Sequence, residues 1–206
     1  MSENLKAVLF DFDGTLMDSE PIHYEAWRQV LEPLGVTVDH DVFLERFVGV
    51  EDREAVRQLA ELQNPPRDFD ELWATFPRKQ QIFRQIIASK PQVPPQTREA
   101  IAALKEAGYL LGVVTSSSSE EVIPLLERNG LSLYLDTAIF REDVVNKKPD
   151  PEPYLKALKS LNVETALVFE DSRSGIASAK AAGCEVIPVV DVAQVAQQIR
   201  ERLGVG

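Results

Sequence analysis

Near the start of the chain an unbroken apolar run, Ala7-Val8-Leu9-Phe10, ends in two carboxylates one residue apart, Asp11 and Asp13, followed by Gly14. A strand with no polar interruption has no face to offer water. That is the pattern of a parallel sheet covered on both sides, not of a half-exposed antiparallel one. Alternate side chains of an extended chain point the same way, so Asp11 and Asp13 leave the strand end together. Two acids that close repel each other unless a cation lies between them or one keeps a proton. Gly14 lets the backbone turn sharply beside the pair. Asp and Gly are equally common in ordinary turns, so this stretch by itself fits a turn as well as a site.

The rest of the chain supplies the context. Asp18-Ser19-Glu20-Pro21 reads as a helix start, with capping side chains before a first-turn proline, and predicts a helix over 22–34 that stops at Gly35. Up to about Lys90, apolar residues recur at helical spacing (42–44, 55–60, 83–87) and no strand is evident; Asn64-Pro65-Pro66 and Phe76-Pro77 interrupt the pattern. Residues 17–90 therefore read as a small helical domain inserted into something else. The proline-rich segment Lys90-Pro91-Gln92-Val93-Pro94-Pro95 returns the chain. After it, predicted strands at 109–114, 138–140, 166–169 and 185–190 alternate with helices at 97–107, 120–129, 151–161, 175–182 and 193–203. Alternation of this kind implies an α/β fold, a doubly wound parallel sheet with right-handed crossovers, built from residues 1–16 and 91–206.

Composition narrows the partners. A net charge of −11 argues against nucleic acid or an anionic membrane surface, both of which need a basic face. An anionic small substrate is still compatible, since a metal ion and a few placed donors reverse the local field. A single cysteine, Cys184, rules out an intrachain disulfide and suggests a reducing compartment. Residues 1–6 lack the basic, apolar and small-residue series of a signal peptide, and no run is long enough to span a membrane, so a cytoplasmic location is the expectation.

In a doubly wound sheet, ligands sit beyond the carboxyl ends of the strands. The predicted strands end in Asp11 and Asp13, in Thr115-Ser116-Ser117-Ser118-Ser119, just before Lys148, and in Glu170-Asp171. Asp11, Asp13 and Asp171 offer hard oxygen ligands suited to Mg2+. Thr115 offers a hydroxyl, Ser116 a backbone amide at a helix entrance, and Lys148 a point charge for phosphate oxygens. The chain has no Gly-rich nucleotide loop with Lys-Ser/Thr and no pair of histidines at helical spacing. Asp11 is then the best nucleophile and Asp13 the group that protonates a leaving oxygen and deprotonates the incoming water. Taken singly, each piece has a plainer reading. The serine run could be a linker, Lys148 a solvated loop residue, and Glu170-Asp171 a helix cap.

As an ordered set, DFDGTLMDSE (11–20), VVTSS (113–117), KKPDPEPY (147–154) and FEDSRSGIASAKAAG (169–183) resemble the haloacid dehalogenase superfamily, and most closely its beta-phosphoglucomutase-like phosphatase branch. The resemblance implies a Rossmann-like core with an inserted helical cap. It implies Asp11 as nucleophile, Asp13 as general acid/base, Thr115 and Lys148 as phosphate-binding groups, and Mg2+ held by Asp11, the Asp13 carbonyl and Asp171, with Glu170 beside them. Asp13 separates the chain from dehalogenases and phosphonatases of the family, which lack an acid two residues after the nucleophile. His23, Lys79 and Ser117 fall where beta-phosphoglucomutases place cap and substrate residues. The mutase arginine that follows a Gly-Val pair is replaced, however: Gly49-Val50-Glu51-Asp52-Arg53 puts Asp52 there and Arg53 one position late. Trp27, one turn beyond His23, reads as cap core.

The resulting expectation is an Mg2+-dependent phosphatase acting on a small phosphorylated metabolite, such as a sugar phosphate, through an aspartyl phosphate. A phosphosugar mutase and a non-catalytic phosphometabolite-binding protein are the alternatives. A monomer is the simplest assembly for a capped enzyme of this size.

Overall fold

The computed structural model describes residues 6–47, 50–87 and 93–205. Gly49 of the Gly-Val pair and Pro91-Gln92 of the return segment lie outside these residues. The chain divides into two compact units, Met1–Asp18 with Pro91–Gly206, and Ser19–Lys90.

The regular elements among the smaller unit's described residues are all helical: α1 (Glu20–Leu31), α2 (His40–Arg46), α3 (Asp52–Leu62), α4 (Phe69–Trp73) and α5 (Phe76–Ile87). The first helix ends earlier than its spacing predicts, because Pro33 tightens the chain into a 3-10 turn over Glu32–Leu34 before Gly35. Phe76-Pro77 does not interrupt a helix; it opens α5, where the proline occupies the first turn and its missing N–H costs nothing. Asp39 and Asp68 cap α2 and α4 by accepting from the free amides of their first turns. Buried apolar residues from α1 (Ile22, Ala26, Val30), α3 (Val56, Leu59), α4 (Leu72) and α5 (Ile82, Phe83, Ile87) form this unit's core.

The larger unit carries five strands, β1 (Ala7–Phe10), β2 (Leu110–Val114), β3 (Thr137–Ile139), β4 (Leu167–Glu170) and β5 (Glu185–Pro188). All pair in parallel, in the order β3-β2-β1-β4-β5. The connecting helices are α6 (Pro95–Glu106), α7 (Ser119–Arg128), α8 (Glu152–Leu161), α9 (Arg173–Ala181) and α10 (Val195–Leu203). Every residue of β1 is fully buried. Ala7 and Leu9 pack with Tyr154, Leu158, Val168 and Ala179 on the α8–α9 side. Phe10 instead stacks on Phe169, its register partner in β4, with ring centroids 5.3 Å apart. Both faces of β1 are thus covered, as the apolar run implies. The connections step from β1 outward through β2 to β3 and then return to β4 on the other side of β1. The order reverses beside β1, which is where an α/β sheet opens a crevice for ligands.

Candidate active site

Asp11 follows β1 directly, and its backbone N–H donates to the Phe169 carbonyl of β4 at 3.0 Å. Thr115 follows β2, and Glu170 and Asp171 lie at the end of β4, so three neighbouring strands deliver their terminal residues to one edge. Lys148 comes from the loop before α8 and joins them. Its Nζ donates to Asp11 Oδ1 at 2.6 Å, to Glu170 Oε1 at 2.8 Å and to the Val114 carbonyl at 2.9 Å, and it lies 5.1 Å from the centre of the Tyr154 ring. The lysine side chain is only 4% exposed, so the solvated-loop reading fails. Burial disfavours its charge, but Asp11, Tyr154 and Glu170 outweigh that and hold the ammonium protonated well above the usual lysine range.

Glu170 is fully buried and engaged at both oxygens. Oε1 takes Lys148, and Oε2 takes the Ser172 amide at 2.7 Å and the Ser172 hydroxyl at 3.0 Å. Its carboxylate anchors Lys148 and the start of α9, next in sequence to Asp171. Gly175 makes this possible: a Cβ there would sit 1.5 Å from Glu170 Oε1. Asp171 accepts from the Thr15 hydroxyl at 3.0 Å. Gly14, at φ +79°, brings the backbone so close that a Cβ would lie 2.3 Å from Asp171 Oδ2. Only glycine combines that left-handed conformation with the close approach. Thr15 and Gly175 were not singled out in the sequence, although both lie inside the quoted motifs.

The charges are unbalanced. Burial raises the Asp11 carboxyl well above the usual range; Lys148 pulls it down, and Glu170 and Asp171 push it up again. Burial, and then Glu170, raise Asp171 to about 6, against the Thr15 hydrogen bond. Three acids share one ammonium, a surplus of negative charge that a bound cation would offset. Among the described residues no three His, Cys, Asp or Glu side chains form a ready-made metal cage. Mg2+ does not require one, since it takes one or two carboxylates and keeps several waters. Asp11, Asp171 and the Asp13 carbonyl have the donor chemistry it needs.

Asp13 accepts from the Ser117 hydroxyl at 2.7 Å through Oδ2. The serine run is no linker. Thr115 Oγ1 accepts from the Ser117 amide at 3.0 Å, Ser118 opens α7 with its amide and hydroxyl on the Glu121 carboxylate, and the Ser119 amide donates to Glu142 at 2.8 Å. Ser116 is exposed at the turn between β2 and α7.

The remaining residues named from sequence belong to the helical unit. Lys79 is 2% exposed; its Nζ lies 2.9 and 3.0 Å from the two oxygens of Asp52 and 2.9 Å from His23 Nδ1. The rings of Trp27, Phe83 and Phe76 surround it at 5.2, 5.5 and 5.8 Å. Trp27 Nε1 donates to Asp52 as well, at 3.0 Å. Burial, and then the Lys79 charge, lower the His23 pKa to about 3 despite Asp52, so the ring is neutral. Arg53 turns away from this cluster and lies over the Phe69 and Trp73 rings, at 5.6 and 5.8 Å. Asp52, which stands in the place of the mutase arginine, is the counter-charge of Lys79. They are separated by 27 positions in the sequence, so no local signal could have paired the two.

A parallel sheet with carboxylates and a lysine gathered at one edge is an arrangement suited to a hydrolase. A family profile described as haloacid dehalogenase-like hydrolase matches residues 8–189, and the chain belongs to that family. It is 37% identical over 188 residues to the phosphorylated carbohydrates phosphatase of Thermotoga maritima, covering 89% of this chain and 84% of that one. It is 31% identical over 206 residues to the phosphoglycolate phosphatase of Salmonella typhi, covering 88% and 80%. A solved Thermotoga maritima structure, provisionally identified as a beta-phosphoglucomutase, superposes with a TM-score of 0.77 at 31% identity over 97% of this chain and 100% of that one. Among the described residues no helix is long and apolar enough to cross a membrane.

Proposed function

We propose that this enzyme is an Mg2+-dependent phosphatase of a small phosphorylated carbohydrate, working through an aspartyl phosphate on Asp11. The observation that carries the reading is the Lys148 contact set. One ammonium joins Asp11, Glu170 and the Val114 carbonyl, which fixes one oxygen of Asp11 and supplies a positive charge where a phosphate must approach a carboxylate. When bound by Asp11, Asp171 and the Asp13 carbonyl, Mg2+ supplies further charge neutralisation between nucleophile and phosphate.

In the first half-reaction a carboxylate oxygen of Asp11 forms a bond to phosphorus while the bond from phosphorus to the substrate's alkoxy oxygen breaks. Asp13 gives its proton to that oxygen, and the alcohol leaves. In the second, Asp13 takes a proton from water as the water oxygen bonds to phosphorus. The Asp11–phosphorus bond breaks, releasing inorganic phosphate and restoring both acids. Thr115, the Ser116 amide and Lys148 hold the phosphoryl oxygens in both steps.

A mutase is the second reading, favoured by the solved structure named above. It requires a cap cation to hold a second phosphate. In this helical unit the buried lysine is matched by Asp52, which supports hydrolysis over mutase chemistry. The test is phosphate release from a panel of sugar phosphates with Mg2+, which Asp11→Asn should abolish. Release surviving that substitution would overturn the nucleophile assignment. Conversion of beta-glucose 1-phosphate to glucose 6-phosphate with little free phosphate would transfer the reading to the mutase. The enzyme is expected to act as a monomer.

A further inference from the structure

Lys148 reaches Asp11 from a loop, and a long unbranched side chain on a loop is a poor way to place a charge. Where that charge ends up depends on how firmly the backbone that carries it is held. The loop is held by a group that the proposed reaction does not use. Glu152, in the first turn of α8, accepts from the Val145 amide through Oε1 at 2.8 Å and from the Asn146 amide through Oε2 at 2.8 Å, with the Asn146 side-chain amide adding a third bond at 3.0 Å. One carboxylate therefore ties two consecutive backbone amides just before Lys148. Those amide bonds keep the Glu152 carboxyl below its usual range, so it is ionised at neutral pH.

The same helix grips the loop a second time. Lys156, one turn on, donates to the Asp143 carbonyl instead of closing an ordinary helical ion pair with Glu152. On the other side of Lys148, Asp150 is fastened three ways. Its amide donates to the Lys147 carbonyl at 2.9 Å, its side chain accepts from the Glu152 amide at 2.9 Å, and its carbonyl accepts from Ser178 Oγ of α9 at 2.5 Å. Lys148 is thus anchored before and after itself.

We propose that Glu152 is a positioning residue. Its carboxylate clasps the backbone of residues 145–146 so that Lys148 is delivered to Asp11 and Glu170. The catalytic side of this inference rests on the function proposed above, whereas the clasp itself does not. The experiment has one arm for each. The first is brief acylation of the folded protein with an amine-reactive ester, read by mass spectrometry. Lys148, buried and paired, is protected in the wild type, and Glu152→Ala should raise its labelling rate several-fold while labelling at Lys180 stays constant. Glu152→Gln, which keeps one acceptor oxygen, should fall between the two and serves if the alanine variant does not fold. Unchanged Lys148 labelling in a folded variant overturns the proposal. The second arm is kinetic. Glu152→Ala should lower kcat/KM by about 10-fold or more, as misplacing a catalytic group does, and should add little in a Lys148→Ala background. An equal loss in both backgrounds means that Glu152 does not act through Lys148 and also overturns the proposal. Altered labelling in an enzyme that releases no phosphate would instead refute the proposed function and leave the clasp standing.

Discussion

Asp52 neutralises Lys79: both carboxylate oxygens lie within 3.0 Å of an ammonium that is otherwise walled in by aromatic rings. Removing one partner of such a pair leaves an uncompensated buried charge, at a cost of about 3–5 kcal/mol. The Asp52 side chain is 30% exposed, which favours the low end of that range. Asp52→Ala should therefore destabilise the helical unit by about 3 kcal/mol, and Asp52→Leu combined with Lys79→Met should recover most of the loss. Both tryptophans of the chain, Trp27 and Trp73, lie in this unit, so urea unfolding followed by tryptophan fluorescence reports on it directly.

His23 gives the same unit a dependence on pH. Its folded pKa of about 3 lies below the ordinary 6.5, so between those values the unfolded chain binds a proton that the folded one refuses. The stabilisation is complete above pH 6.5 and is lost progressively as pH falls. By pH 5 the loss should reach about 1 to 2 kcal/mol. His23→Gln should flatten the urea midpoint between pH 6.5 and 5, a window that lies above most carboxylate titrations. A slope unchanged by the substitution would assign the effect elsewhere.

Two glycines distinguish the Asp171 side of the site, proposed for the metal, from the Lys148 side. Gly175→Ala puts a methyl group where Glu170 Oε1 stands and should displace the anchor of Lys148, lowering kcat/KM by about 100-fold. Gly14→Ala forces a left-handed residue worth about 1–2 kcal/mol of strain and pushes on Asp171. Its mark should be a higher Mg2+ requirement. Titrating each variant with Mg2+ distinguishes them, because excess metal should rescue Gly14→Ala in part and Gly175→Ala not at all.

Chelation gives the simplest test of the surplus negative charge shared by Asp11, Glu170 and Asp171. Dialysis against a chelator should abolish phosphate release, and added Mg2+ should restore it. Asp171→Asn should raise the Mg2+ concentration for half-maximal activity by about 10-fold or more, since a carboxylate ligand is lost. Full activity in chelator would exclude the metal.

The Ser117 hydroxyl orients the carboxyl group of Asp13. Losing such a hydrogen bond is worth about 1–1.5 kcal/mol and also frees the carboxyl group to rotate out of position. Ser117→Ala should therefore slow kcat/KM by about 10-fold or more for alkyl phosphates, whose leaving oxygen needs a proton. The loss should be much smaller for p-nitrophenyl phosphate, which leaves without one. Equal losses for both substrates would give Ser117 a role apart from proton transfer.

The core was legible because its signals are local. The apolar run before Asp11 reports a strand buried on both faces, and each later strand is punctuated by glycine or by a polar terminus that becomes part of the crevice. Element ends were less legible: Pro33 shortens α1, and Pro77 starts a helix where a break was expected. What escaped reading were pairings made in three dimensions. Lys148 alone looked solvated until Asp11, 137 residues away, was placed beside it. The same holds for Asp52 with Lys79. Glu152 reads like any first-turn glutamate, because nothing in the chain's order says which backbone amides will face it.

The position of β1 has a consequence for how the enzyme can fail. It is hydrogen-bonded to β2 on one side and to β4 on the other, and Asp11 is tied to β4 by its own amide. Opening the backbone at Asp11 means breaking both ladders, so amide exchange along Val8–Phe10 should proceed only with global unfolding. Denaturant should then leave this sheet either whole or fully opened, with no form in which β1 alone has come apart. Damage would show as fewer working copies, each turning over at the native rate.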